Sequence, residues 1–267
     1  MIARAVFGEV DSLAKYVRYG QAVHAEMMRL EFESARRNRP SCGGAMVWMF
    51  NDCWPTSNWS IIDYRRREKP SFFAAKRACQ PLLPMIVAHG QNIEFFFGND
   101  SLDSRHATVR YGRRSLTGQV AWTRECELDV PANTTIRFDS LPAESLDVSP
   151  GDHLFIDARV DGHELPSVAY FPQGWQNIEW PEPRIVIESL STTPLPNGAW
   201  RLRVAVTTDR FARFLHLVTR REESGVTFSD NYFDLNAGAC RELTVDSPSP
   251  LKASDLVPCH WGIPTCS

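Results

Sequence analysis

The sequence predicts a mixed fold, an α/β segment over residues 1–82 followed by two antiparallel β-sandwiches over 83–180 and 181–267. Three observations predict it. The first part alternates a helical pattern, an unbroken apolar run, a polar loop and a second helical pattern. From about residue 84, short β-rich runs alternate with turn signals. A stretch rich in proline and aromatic residues, 171–183, then separates two such strand series, which show no close internal repeat.

Residues 11–37 form the first expected helix. Asp11 or Ser12 can accept backbone N–H bonds at its start. Leu13, Tyr16, Val17, Val23, Met27 and Leu30 recur near helical spacing. The basic end at Arg36, Arg37 and Arg39 suits a helix C-terminus, and Pro40 with Gly43 and Gly44 stops it. Residues 45–50 are continuously apolar, the pattern of a strand buried on both faces of a parallel sheet. Pro70 opens a second helix over 70–79. Helix, buried strand, loop and helix is the rhythm of a β/α (TIM) barrel. A single such strand has no parallel partner in this chain, so most of a barrel is expected upstream of Met1.

The first sandwich is expected to use strands near 93–97, 107–111, 118–122, 135–138 and 153–158. The second uses 184–188, 200–207, 214–219, 226–228 and 241–245. Asn197-Gly198 signals a hairpin between the first two of these. Phe171, Trp175 and Trp180, set among prolines, read as a tethered linker.

A net charge of −3 gives no footprint for nucleic acid. The cluster Arg65-Arg66-Arg67 reads as a solvated turn. No apolar run is long enough to span a bilayer. Residues 1–12 lack a signal peptide's apolar core, a feature that a truncated chain would in any case have lost. The seven cysteines, 42, 53, 79, 126, 240, 259 and 266, are odd in number and irregularly spaced. They read as free thiols and favour a reducing, cytoplasmic compartment. Cys259, His260 and Cys266 make a weak metal pattern, and no cofactor or metal is expected. Asn58, Asn99 and Asn133 begin glycosylation sequons, which by themselves do not show secretion.

The segment 45–64, AMVWMFNDCWPTSNWSIIDY, closely resembles the barrel exit of family 2 glycoside hydrolases, and of β-mannosidases in particular. The residues that carry the resemblance are Trp48, Asn51, Asp52, Trp54, Pro55, Trp59, Ser60, Asp63 and Tyr64. Residues 228–235, FSDNYFDL, resemble a segment of the family's C-terminal immunoglobulin-like domain. Gln21, Ala25 and Glu26 match part of a helix motif in which His24 replaces a glutamine. The resemblance implies the terminal β/α piece of a TIM barrel followed by two immunoglobulin-like antiparallel β-sandwich domains. It also implies the C-terminal part of a retaining exo-β-mannosidase. The partners implied are a β-mannoside or related oligosaccharide and an upstream catalytic barrel. An exo-β-glucosaminidase or related family 2 glycosidase is the alternative. Outside that class, the chain reads as a non-catalytic carbohydrate-binding or interaction protein.

A retaining glycosidase needs two carboxyl groups about 5–5.5 Å apart. In the family both are glutamates within motifs that this sequence lacks, so no catalytic residue is assigned and the isolated chain is expected to be inactive. Phe7-Gly8-Glu9 has the wrong order for the nucleophile motif, and Glu9 reads as a surface residue. Trp48 is expected to offer its indole face to a pyranose. Asn51 and Asp52 are candidates for sugar hydroxyls, with bracing of the loop as the competing role. Trp54, Trp59, Asp63 and Tyr64 are expected to build the barrel rim. Met49 stands where the family commonly has glutamine. Asp103 with His106, and Asp152 with His153, read as surface pairs. Asp230 and Asp234 do not fit a calcium loop. Trp175, Trp180 and Trp200 are read as interface residues, with glycan binding as the competing role. A barrel remnant would expose apolar faces, so either self-association or loose packing of residues 1–80 is expected.

Overall fold

The computed structural model describes residues 6–221 and 223–262. These fall into two compact units, 6–115 with 119–179, and 116–118 with the described part of 180–262. The fold is mostly antiparallel β-sheet with few helices.

The first unit opens with α1, Leu13–Arg37, capped by Ser12, whose hydroxyl accepts from Lys15 N at 3.3 Å. The second helix, α2, is Pro70–Ala78. The helices pack against each other, and the residues they bury include Ala22, Ala25 and Met28 of α1 and Phe73, Ala74, Ala75 and Ala78 of α2. This corrects the apolar stripe read from the sequence. Leu13 is 78% exposed, and Tyr16, Val17, Met27 and Leu30 are exposed as well. The buried face of α1 is instead that of Ala22, Ala25 and Met28, and the residues of the expected stripe lie off it.

The expected barrel strand at 45–50 is a second correction. The segment bends at Trp48 and Phe50 and pairs in no sheet, and its burial alternates, with Met46, Trp48 and Phe50 exposed. A strand buried on both faces needs layers on both faces. Among the described residues the parallel pairing here is one isolated bridge, Asn51 to Ile62.

The sandwich of this unit uses eight strands. They are β1 Leu82–His89, β2 Asn92–Asn99, β3 Arg105–Ser115, β4 Val120–Val130, β5 Thr134–Pro142, β6 Asp152–Val160, β7 His163–Glu164 and β8 Val168–Tyr170. One sheet runs β1-β2-β5 and the other β4-β3-β6-β7, with β8 also on β6. Side chains alternate across each strand, so Phe95 and Phe97 from one sheet meet Val109, Tyr111, Leu154 and Ile156 from the other. Each such side chain contributes roughly 1.5–3 kcal/mol by leaving water.

Charged groups tie the helices to this sandwich. The Arg36 guanidinium is buried and donates to the carbonyls of Ala78 (2.9 Å), Gln80 (2.6 Å) and Pro81 (3.1 Å), while pairing with Asp100 at 3.2 Å. It therefore satisfies carbonyls that the end of α2 leaves open. Gly98 makes room, because a Cβ there would lie 3.1 Å from Arg36 Nη2. Arg39 adds bonds to both Asp100 oxygens and to Asn133.

The second unit has β9 Ile185–Pro194, β10 Trp200–Thr208, β11 Ala212–Thr219, β12 Thr227–Phe228, β13 Phe233–Leu235, β14 Cys240–Ser247 and β15 Leu256–Cys259. Its sheets run β12-β14-β10-β9 and β13-β11-β15 around Leu202, Val204, Val206, Leu215, Leu217, Phe233 and Val245. Asn197 and Gly198 form the β9–β10 turn, with Gly198 at φ +83°. Asn231 completes β11 by accepting from Leu217 N at 2.7 Å and donating to Leu217 O at 2.9 Å. Its side chain does the work of a neighbouring strand at Leu217, beyond the last β11–β13 pair, Leu215 with Phe233.

The cysteine expectation holds in part. Cys42, Cys53, Cys79, Cys126 and Cys240 are free thiols, but Cys259 is in a disulfide. Cys266 lies outside the described residues. No helix among the described residues is long and apolar enough to cross a membrane.

Candidate functional site

The loop between 45 and 69 carries the predicted site residues, and its layers differ in polarity. Its surface is aromatic: Trp48 (84% exposed), Phe50, Trp54, Trp59 and Tyr64 are all exposed. Met46, Trp48 and Phe50 are exposed, with Val47 and Met49 partly buried between them. The Trp48–Met49 peptide bond is cis.

Beneath this surface lies a polar cluster. Lys69 Nζ stands 2.9 Å from Asp52 Oδ2 and 2.6 Å from Ser60 Oγ, with the Asn58 carbonyl at 3.5 Å. The side chain of Asp52 is 2% exposed and that of Lys69 16%. Burial opposes ionisation of Asp52, but the bonds from Lys69 and Ser60 outweigh it and hold the carboxyl below its ordinary pKa. The two legs of the loop pair through Asp52 N to Ile62 O (3.0 Å) and Ile62 N to Phe50 O (3.0 Å). Lys69 N donates to Ile61 O at 2.9 Å. Ile61 is buried against Met28 and Ala75, which fastens the loop to both helices.

His24 supports the loop from α1. Its ring lies edge-on to Trp59 with centroids 5.7 Å apart. Burial, and then the charge of Lys69, push its pKa down. Asp63 organises the far turn, accepting from the backbone of Arg65 and Arg67 and from Arg67 Nε.

The structure thus brings Trp48, Trp54, Trp59 and Tyr64 to the loop surface and Asp52 beneath it. Asn51 is exposed, and its amide donates to Asp52 O at 3.2 Å. Of the cluster members, Lys69 and Asn58 were missed as functional by sequence reasoning, and His24 and Ser60 were noted only as parts of motifs. Charge gave no usable signal, since Lys69 follows Asp63, Arg65, Arg66, Arg67 and Glu68 in a charged stretch.

Other candidates resolve differently. Glu9 is exposed. His106 pairs with Asp129 and Glu127 rather than Asp103, and lies exposed on β3. His153 is buried against Phe171 and is no surface residue, while its neighbour Asp152 points the other way, toward Arg113. Asp230 pairs with Arg241 and Asp234 with Arg213. No group that could hold a metal occurs among the described residues. Trp175 is buried against Phe7, and Trp180 and Trp200 are half-buried. The sequon residue Asn99 is wholly buried and bonds to the Asp103 and Val130 carbonyls.

Residues 180–258 match the Ig-fold domain family Ig_mannosidase. The β-mannosidase B of Aspergillus flavus is 44% identical over 273 aligned positions, covering 91% of this chain and 30% of that protein. The β-mannosidase B of Aspergillus niger is 24% identical, covering 87% of this chain and 29% of that protein. The chain therefore spans about a third or less of the length of the curated relatives it matches. Among solved structures, the β-D-mannosidase of Dictyoglomus thermophilum superimposes with a TM-score of 0.83 at 22% identity, covering 97% of this chain and 31% of that one. The exo-chitosanase of Amycolatopsis orientalis gives 0.74 at 18% identity, covering 92% and 33%. These two show a shared fold. Taken with the sequence relatives, they make the chain similar to the C-terminal portion of family 2 glycoside hydrolases of the β-mannosidase kind.

Proposed function

We propose that this chain is the C-terminal part of a retaining exo-β-mannosidase that removes terminal β-D-mannosyl residues. The helices and the 45–69 loop would be the end of its catalytic barrel, with both catalytic glutamates in an upstream segment. The observation that carries this reading is Trp48, an exposed indole on a loop braced from beneath, in a chain similar to β-mannosidases. Its face suits the C–H face of a pyranoside. Asn51 is the exposed polar neighbour in sequence, available to a hydroxyl. The carboxylate of Asp52, buried on Lys69, braces the loop. The exposed side chains of α1 and the loop would face the upstream barrel, and in its absence would drive self-association.

The test is turnover of an aryl β-D-mannoside by the pure 267-residue chain. No hydrolysis is expected, and robust turnover would overturn the assignment of both glutamates to an upstream segment. A second reading, an exo-β-glucosaminidase, is supported by the shared fold with the exo-chitosanase. Comparing mannosidase and glucosaminidase rates in a protein containing the whole barrel separates the two.

A further inference from the structure

The polar cluster beneath the loop is too covered to meet a ligand, yet it governs the leg that carries the exposed indole. Lys69 Nζ has three acceptors, Asp52 Oδ2, Ser60 Oγ and the Asn58 carbonyl, on both legs of the loop. An ammonium has three N–H donors, so one side chain closes the cluster. Lys69 is itself fixed, since its backbone donates to Ile61 O and it directly precedes Pro70, the first residue of α2. Asp52 is four residues from Trp48, and the pairing of Phe50 and Asp52 with Ile62 holds that leg. A buried carboxylate deprived of its cation must gain a proton or move toward water. Either change reaches the segment at 48–52.

We propose that Lys69 is a positioning residue for Trp48. By clamping Asp52 and Ser60 it fixes the leg beneath the indole, and so sets how the ring is presented to the apolar face of a pyranoside. This rests on the reading of Trp48 as a sugar platform and adds its internal support. Lys69→Met keeps most of the aliphatic stem and removes the charge, whereas Lys69→Arg keeps the charge.

The test labels the full 267-residue chain with 5-fluorotryptophan and records its fluorine NMR spectrum. The Trp48 line is identified by its loss in Trp48→Phe. Lys69→Met should shift and broaden that line while those of Trp122, Trp175 and Trp200 stay in place. Lys69→Arg should return it part of the way. Ser60→Ala removes a single acceptor and should move the same line less, and it serves if Lys69→Met does not fold. An unmoved Trp48 line in the folded variants overturns the proposal. So does a common shift of all tryptophan lines, which would make Lys69 merely structural. Titrating the unsubstituted chain with β-1,4-mannobiose decides the other point. A Trp48 line that ignores the sugar counts against the platform reading, while the response to Lys69→Met still decides the positioning role.

Discussion

Within the first unit, the sandwich and the helical segment before it are stabilised in different ways. The sandwich closes two apolar sheet faces on each other, with Phe95, Phe97, Val109, Leu154 and Ile156 out of water. The segment of residues 6–81 buries alanines, Phe7, Phe73, a small cluster around Met28, Ile61 and Ala75, and the charged side chains of Glu33 and Arg36. Its large apolar residues, from Leu13 to Trp59, lie largely outside. Apolar patterning has the same local cause in both parts. In the sandwich two sheets supply each other's opposing layer, whereas the helical segment buries less apolar surface, around Phe73, Met28 and Ile61, and directed polar contacts add to its attachment.

The strongest way to break this comparison is a pair of truncations. Phe95→Ala should cost about 3–5 kcal/mol in denaturant unfolding, whereas Leu13→Ala should change stability by less than about 0.5 kcal/mol. Equal losses would mean that α1 is packed as the sandwich is. Next, Arg36→Met should cost about 3 kcal/mol by leaving the Ala78, Gln80 and Pro81 carbonyls without their donor, while Asp100 keeps Arg39. Hydrogen exchange should quicken at the end of α2 and the start of β1, and no change there would refute the polar attachment. In the second unit, Asn231→Ala should cost about 1–3 kcal/mol, because the Leu217 amide and carbonyl lose their partners. Thermal unfolding of the variant measures it.

The smallest expected effect is a pH dependence. The pKa of His24 is lowered on folding by burial and by Lys69. The unfolded chain therefore binds the extra proton first, and stability falls as pH drops from about 6.5 toward the lower folded value. Asp52 has the same sign in a more acidic window. Its contribution is present above the ordinary carboxylate pKa of 3.8 and is lost as pH falls through the lower folded value. His24→Gln should flatten the melting-temperature slope between pH 7 and 5. An unchanged slope would remove His24 as its cause.

The elements were more legible than their burial. Ser12 and Pro70 marked helix starts, Asn197-Gly198 marked a hairpin, and many of the sandwich strands were found near their places, although β1 was missed and β4 was marked only at its start. Short strands such as β7, β8, β13 and β15 were missed, because so few residues show little periodicity. His153 and Asp152, adjacent on β6, separated to opposite faces, as strand geometry requires. At the site, the aromatic and Asx residues of the loop could be named from the motif. That Asp52 turns inward to Lys69 could not, because seventeen residues separate them and nothing local brings them together.

By itself, then, the sequence determined helix caps, strand alternation, hairpin chemistry and the identities of the loop residues. These depend on backbone sterics and on neighbours a few residues away. The tertiary structure alone decided that alanines rather than the large apolar stripe of α1 are buried, that residues 45–50 pair in no sheet, and that Lys69 lies beneath Trp48's loop. Burial and ion pairing depend on which distant surfaces meet, and that is settled only when the whole chain has packed.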